Sequence, residues 1–336
     1  MPGFLSWYPS PAGLKIPLIS PLISFKDTFG NWKARWGFGR MSYIVPPGLY
    51  ALGSPHETSP VIVTANYKMT YDLVRVALAK NSVWLLVLET YGINVWCAAG
   101  KGTFGTGELV RRVADTRLAE VVSHRELILP LLGAAGVKGV DVLKSAGFKV
   151  SFTTVRIEDL PGFLETGRLS SAARELTFTT AERVVLTPVE LVANVRKSGP
   201  LLVLLFLAGG FFSGTFSLNT ALLAPSAYVA ALISGSFVAP LFLPILPTRS
   251  FAVKGAVAGL LAAVVFCLVT TINSAAESIA SILMISAVSS FMTLNFTGST
   301  PYTSRSGVKK EMRWALPLQA ISLLTGMLLI VIGRFF

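Results

Sequence analysis

Val83–Glu89, VWLLVLE, and the nearby Asn94–Lys101, NVWCAAGK, decide how this chain folds. The first is a continuous apolar run of strand length. The second reads as the start of a short helix, with Asn94 placed to cap it. Cys97 then falls in the first helical turn, at the positive end of the helix dipole, where a thiol is shifted towards thiolate. Ala98 and Ala99 lack bulk, so this helix can approach a planar surface closely, and Gly100 and Lys101 follow with no bulk and one positive charge. A shielded thiol on a flat helix face after a strand is suited to act as an axial ligand to a large flat cofactor.

Working outward, the pattern alternates. Val61–Thr64, Glu120–Ser123, Leu127–Leu129 and Lys149–Thr153 read as further short strands. Met69–Ala79, with Leu73, Val76 and Ala77 on one face, reads as a helix, as do residues 106–116, 137–146 and 160–169. Such alternation predicts a Rossmann-like α/β soluble domain, a mostly parallel sheet with helices on both faces. Ligands in these folds bind at the carboxyl ends of strands. Thr64, the Cys97 loop, Ser123 and Thr153–Arg156 are expected at those ends, around one crevice.

Composition changes sharply near Ser198. Five apolar segments follow, 200–218, 221–246, 251–273, 277–296 and 314–333, each near the ~20 residues that span a bilayer. Backbone groups in lipid must be satisfied internally, so these are expected to form an all-α membrane domain of five transmembrane helices. Pro225, Pro240 and Pro244 should kink or break the second. The expected organisation is an extended arm over 1–55, an α/β domain over 56–185, a linker over 186–199 and the membrane domain over 200–336.

The net charge is +12. From Leu201 onward the positive residues are Arg249, Lys254, Arg305, Lys309, Lys310, Arg313 and Arg334, against Glu277 and Glu311. With the first domain in the cytoplasm, all but Arg334 fall on the cytoplasmic side, and the connections Ser213–Thr220 and Asn273–Glu277 carry no Lys or Arg. Pro2, Pro9, Pro11, Pro17 and Pro21 interrupt any signal-peptide core near the start. A multi-pass protein of the cytoplasmic membrane is therefore expected, with the lipid bilayer as one partner. No dense Lys/Arg run with interleaved aromatics points to nucleic acid.

Two cysteines, Cys97 and Cys267, are too few for an iron–sulfur cluster, so any low-potential electron must come from another protein. Gly100-Lys101-Gly102-Thr103-Phe104-Gly105 matches a dinucleotide fingerprint, with Glu120 near the acidic position, but it starts about ten residues after its strand and Trp96-Cys97 would crowd a pyrophosphate. The two histidines, His56 and His124, form no zinc pattern; Cys97 with His124 as a nucleophile and base is not required by any spacing.

Gly92–Gly102, GINVWCAAGKG, resembles the cap-helix signature of the HgcA family, the mercury-methylating corrinoid proteins, themselves related to the large subunit of the corrinoid iron–sulfur protein of acetyl-CoA synthesis. Val63–Lys68 and His124–Pro130 are similar to further segments of that family, while Leu131 and Ile157 depart from it. The resemblance implies a base-off cobalamin whose cobalt takes the Cys97 thiolate as lower axial ligand. Asn94, Val95, Trp96, Cys97, Ala98 and Ala99 would form the cap over cobalt, with Thr64 and Thr70 in the crevice. The D-x-H-x-x-G pattern of His-ligated cobalamin proteins is absent from the sequence. It further implies a corrinoid-dependent methyltransferase that takes a methyl group from a donor protein or methylated folate and passes it to Hg(II), forming methylmercury. A small two-cluster [4Fe-4S] ferredoxin of the HgcB type would be the electron donor. Two alternatives stay open: a membrane metal transporter or metal-binding module built around Cys97, and a corrinoid methyl carrier serving another C1 acceptor.

Overall fold

A computed structural model describes residues 1–10, 13–212, 214–270, 272 and 274–333; Pro11, Ser213, Asn273 and Arg334 lie outside them. The chain divides into two compact units, Met1–Thr177 and Phe178–Phe336.

The first unit is built on a seven-stranded sheet. In chain order it holds β1 (Phe4–Pro9), β2 (Lys15–Ile19), α1 (Phe25–Arg35), β3 (Gly48–Leu52), β4 (Val61–Ala65), α2 (Lys68–Ala77), β5 (Val83–Leu88), α3 (Val95–Lys101), α4 (Thr106–Asp115), α5 (Leu118–Val121), β6 (Glu126–Leu129), α6 (Gly139–Ala146), β7 (Lys149–Phe152) and α7 (Leu160–Thr166). The strand order is β1-β2-β3-β5-β4-β6-β7. Pairs β2–β3, β4–β5, β4–β6 and β6–β7 run parallel, whereas β1–β2 and β3–β5 run antiparallel. The sheet is thus mixed, and broader than the alternation predicts.

Val83–Leu88 lies at its centre, flanked by β3 and β4, and is buried throughout. Trp84, Leu86 and Leu88 face one core with Ala98, Phe104, Leu109, Leu118 and Val142. Val83, Leu85 and Val87 face the other, with Tyr71, Val74, Leu78 and Leu160. A strand covered on both faces has no polar side, which is why its sequence does not alternate.

Two expectations are corrected here. Residues 1–55 are not an extended arm: they supply β1, β2, β3 and α1. Four carboxylates and cations tie α1 to α2. Asp27 and Asp72 both accept from Lys68 Nζ (2.7 and 2.6 Å) and from Arg75 (3.0 and 2.9 Å). Burial opposes ionisation of Asp27, but the bonds from Lys68 and Ser24 override it and hold the carboxyl well below the usual range. Second, Glu120–Ser123 is not a strand; Leu118 and Val121, one helical turn apart, both enter the core from α5. The helix expected over Met69–Ala79 is α2; its inner face carries Asp72, Val74 and Arg75, while Leu73 and Val76 are exposed, so the helix buries its ion pairs.

The second unit is helical. It comprises α8 (Thr180–Gly210), α9 (Leu218–Ile233) continuing through a π-helical turn (Ser234–Val238) into α10 (Ala239–Leu241), then α11 (Phe251–Val269), α12 (Ala275–Asn295) and α13 (Arg305–Ile332). Among the described residues, five helices are long and apolar enough to cross a membrane. The expected linker 186–199 is instead the middle of α8, which starts at a Thr179/Glu182 capping box and runs through Pro188 and Pro200. The first span accordingly lies within Thr180–Gly210 rather than 200–218. In the second, the π turn sits just before Pro240, relieving the clash a proline makes with the preceding turn. Close helix contact depends on small residues: a Cβ on Gly255 would lie 2.5 Å from Thr293 Oγ1, and one on Gly259 2.7 Å from the Ser286 Cα.

Candidate functional site

From β4 the chain winds outward to β5; after crossing back it winds the other way, from β6 to β7. The direction reverses between β4 and β6, the place where open α/β sheets bind ligands. These two strands share a single registered pair, Ile62↔Ile128. A cavity of about 310 Å³ opens there.

Thr64 on β4 and Thr70 on α2 line it, with Asn94, Val95 and Trp96 opposite. The segments after β6 and β7 complete the wall, through Pro130 and Thr153–Arg156. Most of the wall is apolar; the polar exceptions include Thr64, Thr153 and Thr154, all at most 3% exposed. Ser123, expected at this crevice, is elsewhere: its N–H donates to Glu57 O ahead of β4, at the opposite end of the sheet.

The geometry of α3 separates its residues. Asn94 is the N-cap, its Oδ1 accepting from the Cys97 N–H at 3.1 Å. Val95, Ala98 and Ala99, at helical spacing, point into the core, and Cys97 is left exposed. The two alanines therefore do not flatten a face offered to a ligand. Both are buried in the core behind the helix, and the backbone at Ala99 is approached closely by Gly136, where a Cβ would lie 2.1 Å from Phe104 O and 3.0 Å from the Ala99 Cα. Gly100 and Lys101 are exposed and off the cavity wall. Gly102 ends α3 at φ +83° and Gly105 caps α4, so the glycine fingerprint joins two helices and does not follow a strand.

A residue that sequence reasoning left without a role, Asn66, builds the turn ahead of α3. It is fully buried. Its Oδ1 accepts from Thr90 N–H (3.0 Å), Thr90 Oγ1 (2.8 Å) and Gly92 N–H (3.3 Å), and its Nδ2 donates to Glu89 Oε1 (2.6 Å). Tyr91 and Gly92 hold positive φ, 55° and 72°, within that turn. Thr90 Oγ1 also donates to Ile93 O at 2.7 Å. On the other side, the Glu89 N–H donates to Glu108. Burial would raise the Glu108 pKa, but this N–H, Arg111 and Arg112 hold it below the ordinary carboxylate value.

The histidines are engaged locally. His124 uses both ring nitrogens, on Ser59 O and the Glu126 N–H, and His56 Nδ1 pairs with Thr58 at 2.8 Å. Among the described residues, no cluster of three or more His, Cys, Asp or Glu could hold a metal ion.

Residues 39–154 match a family described as the CO dehydrogenase/acetyl-CoA synthase delta subunit. Over 124 residues the chain is 43% identical to the acetyl-CoA decarbonylase/synthase complex subunit gamma of Methanopyrus kandleri, covering 36% of this chain and 26% of that protein. It is 39% identical over 98 residues to the same subunit of Methanocaldococcus jannaschii, covering 29% and 20%. With the Archaeoglobus fulgidus subunit the identity is 33% over 123 residues, covering 36% and 26%. The chain thus spans about a quarter of the length of the curated relatives it matches. The family match runs from before β3 to Thr154 after β7, so it takes in Thr64, Thr70, Asn94–Trp96, Pro130, Thr153 and Thr154 of the cavity wall, and stops short of residues 155–160.

Proposed function

We propose that this chain is a membrane-anchored corrinoid protein that carries a methyl group, with Cys97 as the lower axial ligand to cobalt. One observation carries the reading: a cavity at the reversal of a largely parallel sheet, walled by Asn94–Trp96, with an exposed thiol on the next residue. The match of residues 39–154 to the CO dehydrogenase/acetyl-CoA synthase delta-subunit family, and the similarity to acetyl-CoA decarbonylase/synthase gamma subunits, support it.

The residues fit such a group. The cavity of about 310 Å³ is too small for a whole macrocycle but suits a slender nucleotide tail, as base-off binding requires. Its apolar wall accepts a flat aromatic base, and Thr64, Thr70, Thr153 and Thr154 offer hydroxyls to polar atoms of the tail. When bound, the corrinoid supplies a cobalt able to hold and release a methyl group. The chain's own part is to place and shield: Asn94 fixes the first turn of α3, Trp96 walls the cavity, and Cys97 presents sulfur outward. The β5-β4-β6-β7 part of the sheet serves as the Rossmann-like core of this site.

The finer reading is that the acceptor is Hg(II), giving methylmercury. Its support is the cap sequence Gly92–Gly102, with a soft anionic sulfur suited to making the methyl group more carbanion-like for a soft metal ion. The methyl donor is a methylated C1 carrier, and electrons come from a separate two-cluster ferredoxin, since the chain's two cysteines hold no cluster. The sheet unit then lies on the cytoplasmic side. To test this, the full chain is reconstituted with cobalamin, its absorbance spectrum recorded and methylmercury assayed. Cys97→Ala should alter the spectrum and abolish methylmercury. An unchanged spectrum and product would sink the ligand assignment; a changed spectrum with no mercury product from the wild type would leave a carrier for another acceptor.

A further inference from the structure

The helical unit holds a second cavity, of about 540 Å³, unrelated to the sheet. It is bordered by the starts of three helices: α8 at Thr180, α11 at Phe251 and α13 at Arg305. Each start carries partial positive charge. Three cations line the cavity, Arg183, Arg249 and Lys254, against one carboxylate, Glu311. Arg183 and Lys254 are 6% and 8% exposed.

Burying a cation is costly unless it is paired. None of the ion pairs among the described residues involves these three cations. Lys254 donates only to backbone carbonyls, those of Leu243 and Leu246. Arg183 donates to Leu241 O (3.1 Å), Phe178 O and Thr180 Oγ1 (2.9 Å). An ammonium has three N–H groups and a guanidinium five, so one on Lys254 and two on Arg183 have no acceptor among the described residues. Glu311 forms no ion pair with any of the three; its Oε1 accepts from Ser250 Oγ and the Ala252 N–H, both at 2.7 Å.

We infer that this cavity binds a phosphate group, as the headgroup of an anionic phospholipid. Buried cations, helix starts and spare N–H groups favour a compact anion with several oxygens. The cavity is larger than inorganic phosphate needs, and its apolar members, including Phe178, Leu243 and Phe251, suit the glycerol and first methylenes of a lipid. It lies at the end of the apolar helices where the connections carry basic residues, the level at which headgroups sit. The site does not depend on the corrinoid reading.

The test uses the full chain, delipidated in neutral detergent, with thermal unfolding and native mass spectrometry as readouts. Phosphatidylglycerol, phosphatidylcholine and inorganic phosphate are added separately. Phosphatidylglycerol should raise the unfolding midpoint above that with phosphatidylcholine and remain bound through gentle activation. Arg249→Gln, on the exposed rim, should weaken that retention roughly fivefold. A comparable midpoint rise with inorganic phosphate alone would keep the phosphate site and assign it a soluble source. Equal responses to all three additions, or phosphatidylglycerol retention unchanged in both Arg249→Gln and Lys254→Met, would overturn the site. Should Lys254→Met fail to fold, the wild-type comparison of additives decides.

Discussion

At Asn66 a single buried amide holds the turn that delivers α3 to the cavity. Asn66→Ala leaves the Thr90 and Gly92 N–H groups without their acceptor. Cobalamin affinity of the reconstituted chain, measured by titration, should fall roughly tenfold or more, the range for losing a group that orients a ligand. Cys97→Thr separates binding from ligation: cobalamin should still bind, because the cavity wall is intact, while the sulfur-dependent absorbance disappears. Asn94 and Cys97 were legible in the sequence because capping and helix position are local. Asn66 was not, since its partners lie more than twenty residues away. Ala98 and Ala99, whose small size suits a planar ligand in the sequence, face the core instead.

Among elements, the α1–α2 contact joins the chain's start to the sheet unit through two carboxylates and two cations. Asp27→Asn leaves Lys68 and Arg75 short of a partner and should destabilise the unit by roughly 3 kcal/mol, read by chemical unfolding. The pH dependence follows from the sign of the shift. Asp27 is held below its unfolded value, so its contribution is complete above about pH 4 and fades as pH falls further towards the folded-state value. An acid titration followed by near-UV circular dichroism should show that limb flattened in Asp27→Asn. Hydrophobic periodicity could not find this contact, because α2 turns charge inward. The strands at Val61–Thr64, Val83–Leu88 and Leu127–Leu129 were legible as short apolar runs; β1, at the sheet edge, and β2 and β3 inside it were hidden by the prolines and glycines in and around them.

For the molecule as a whole, two units of different chemistry share one chain. The five long apolar helices among the described residues were legible from length and hydropathy, but the start of the first was not, since it begins at a capping box and runs on through two prolines. If the basic connections face the cytoplasm, reporter fusions at residues 246 and 303 should read inside, and one at residue 216 outside. Gly259→Val should break the α11–α12 contact, where Ser286 stands in the way, and lower the yield of folded protein from detergent. The sheet has its own weak seam. Five strands stand on one side of the Ile62↔Ile128 rung and two on the other, so the unit is two leaves of a book bound by one stitch. Backbone pairing across the seam is that one rung, and what else joins the leaves is apolar: Val61 and Val63 of β4 share a core with Leu127 and Leu129 of β6. Amide exchange along Glu126–Leu129 should therefore outpace that along Val83–Leu88, and slow markedly once cobalamin is in place.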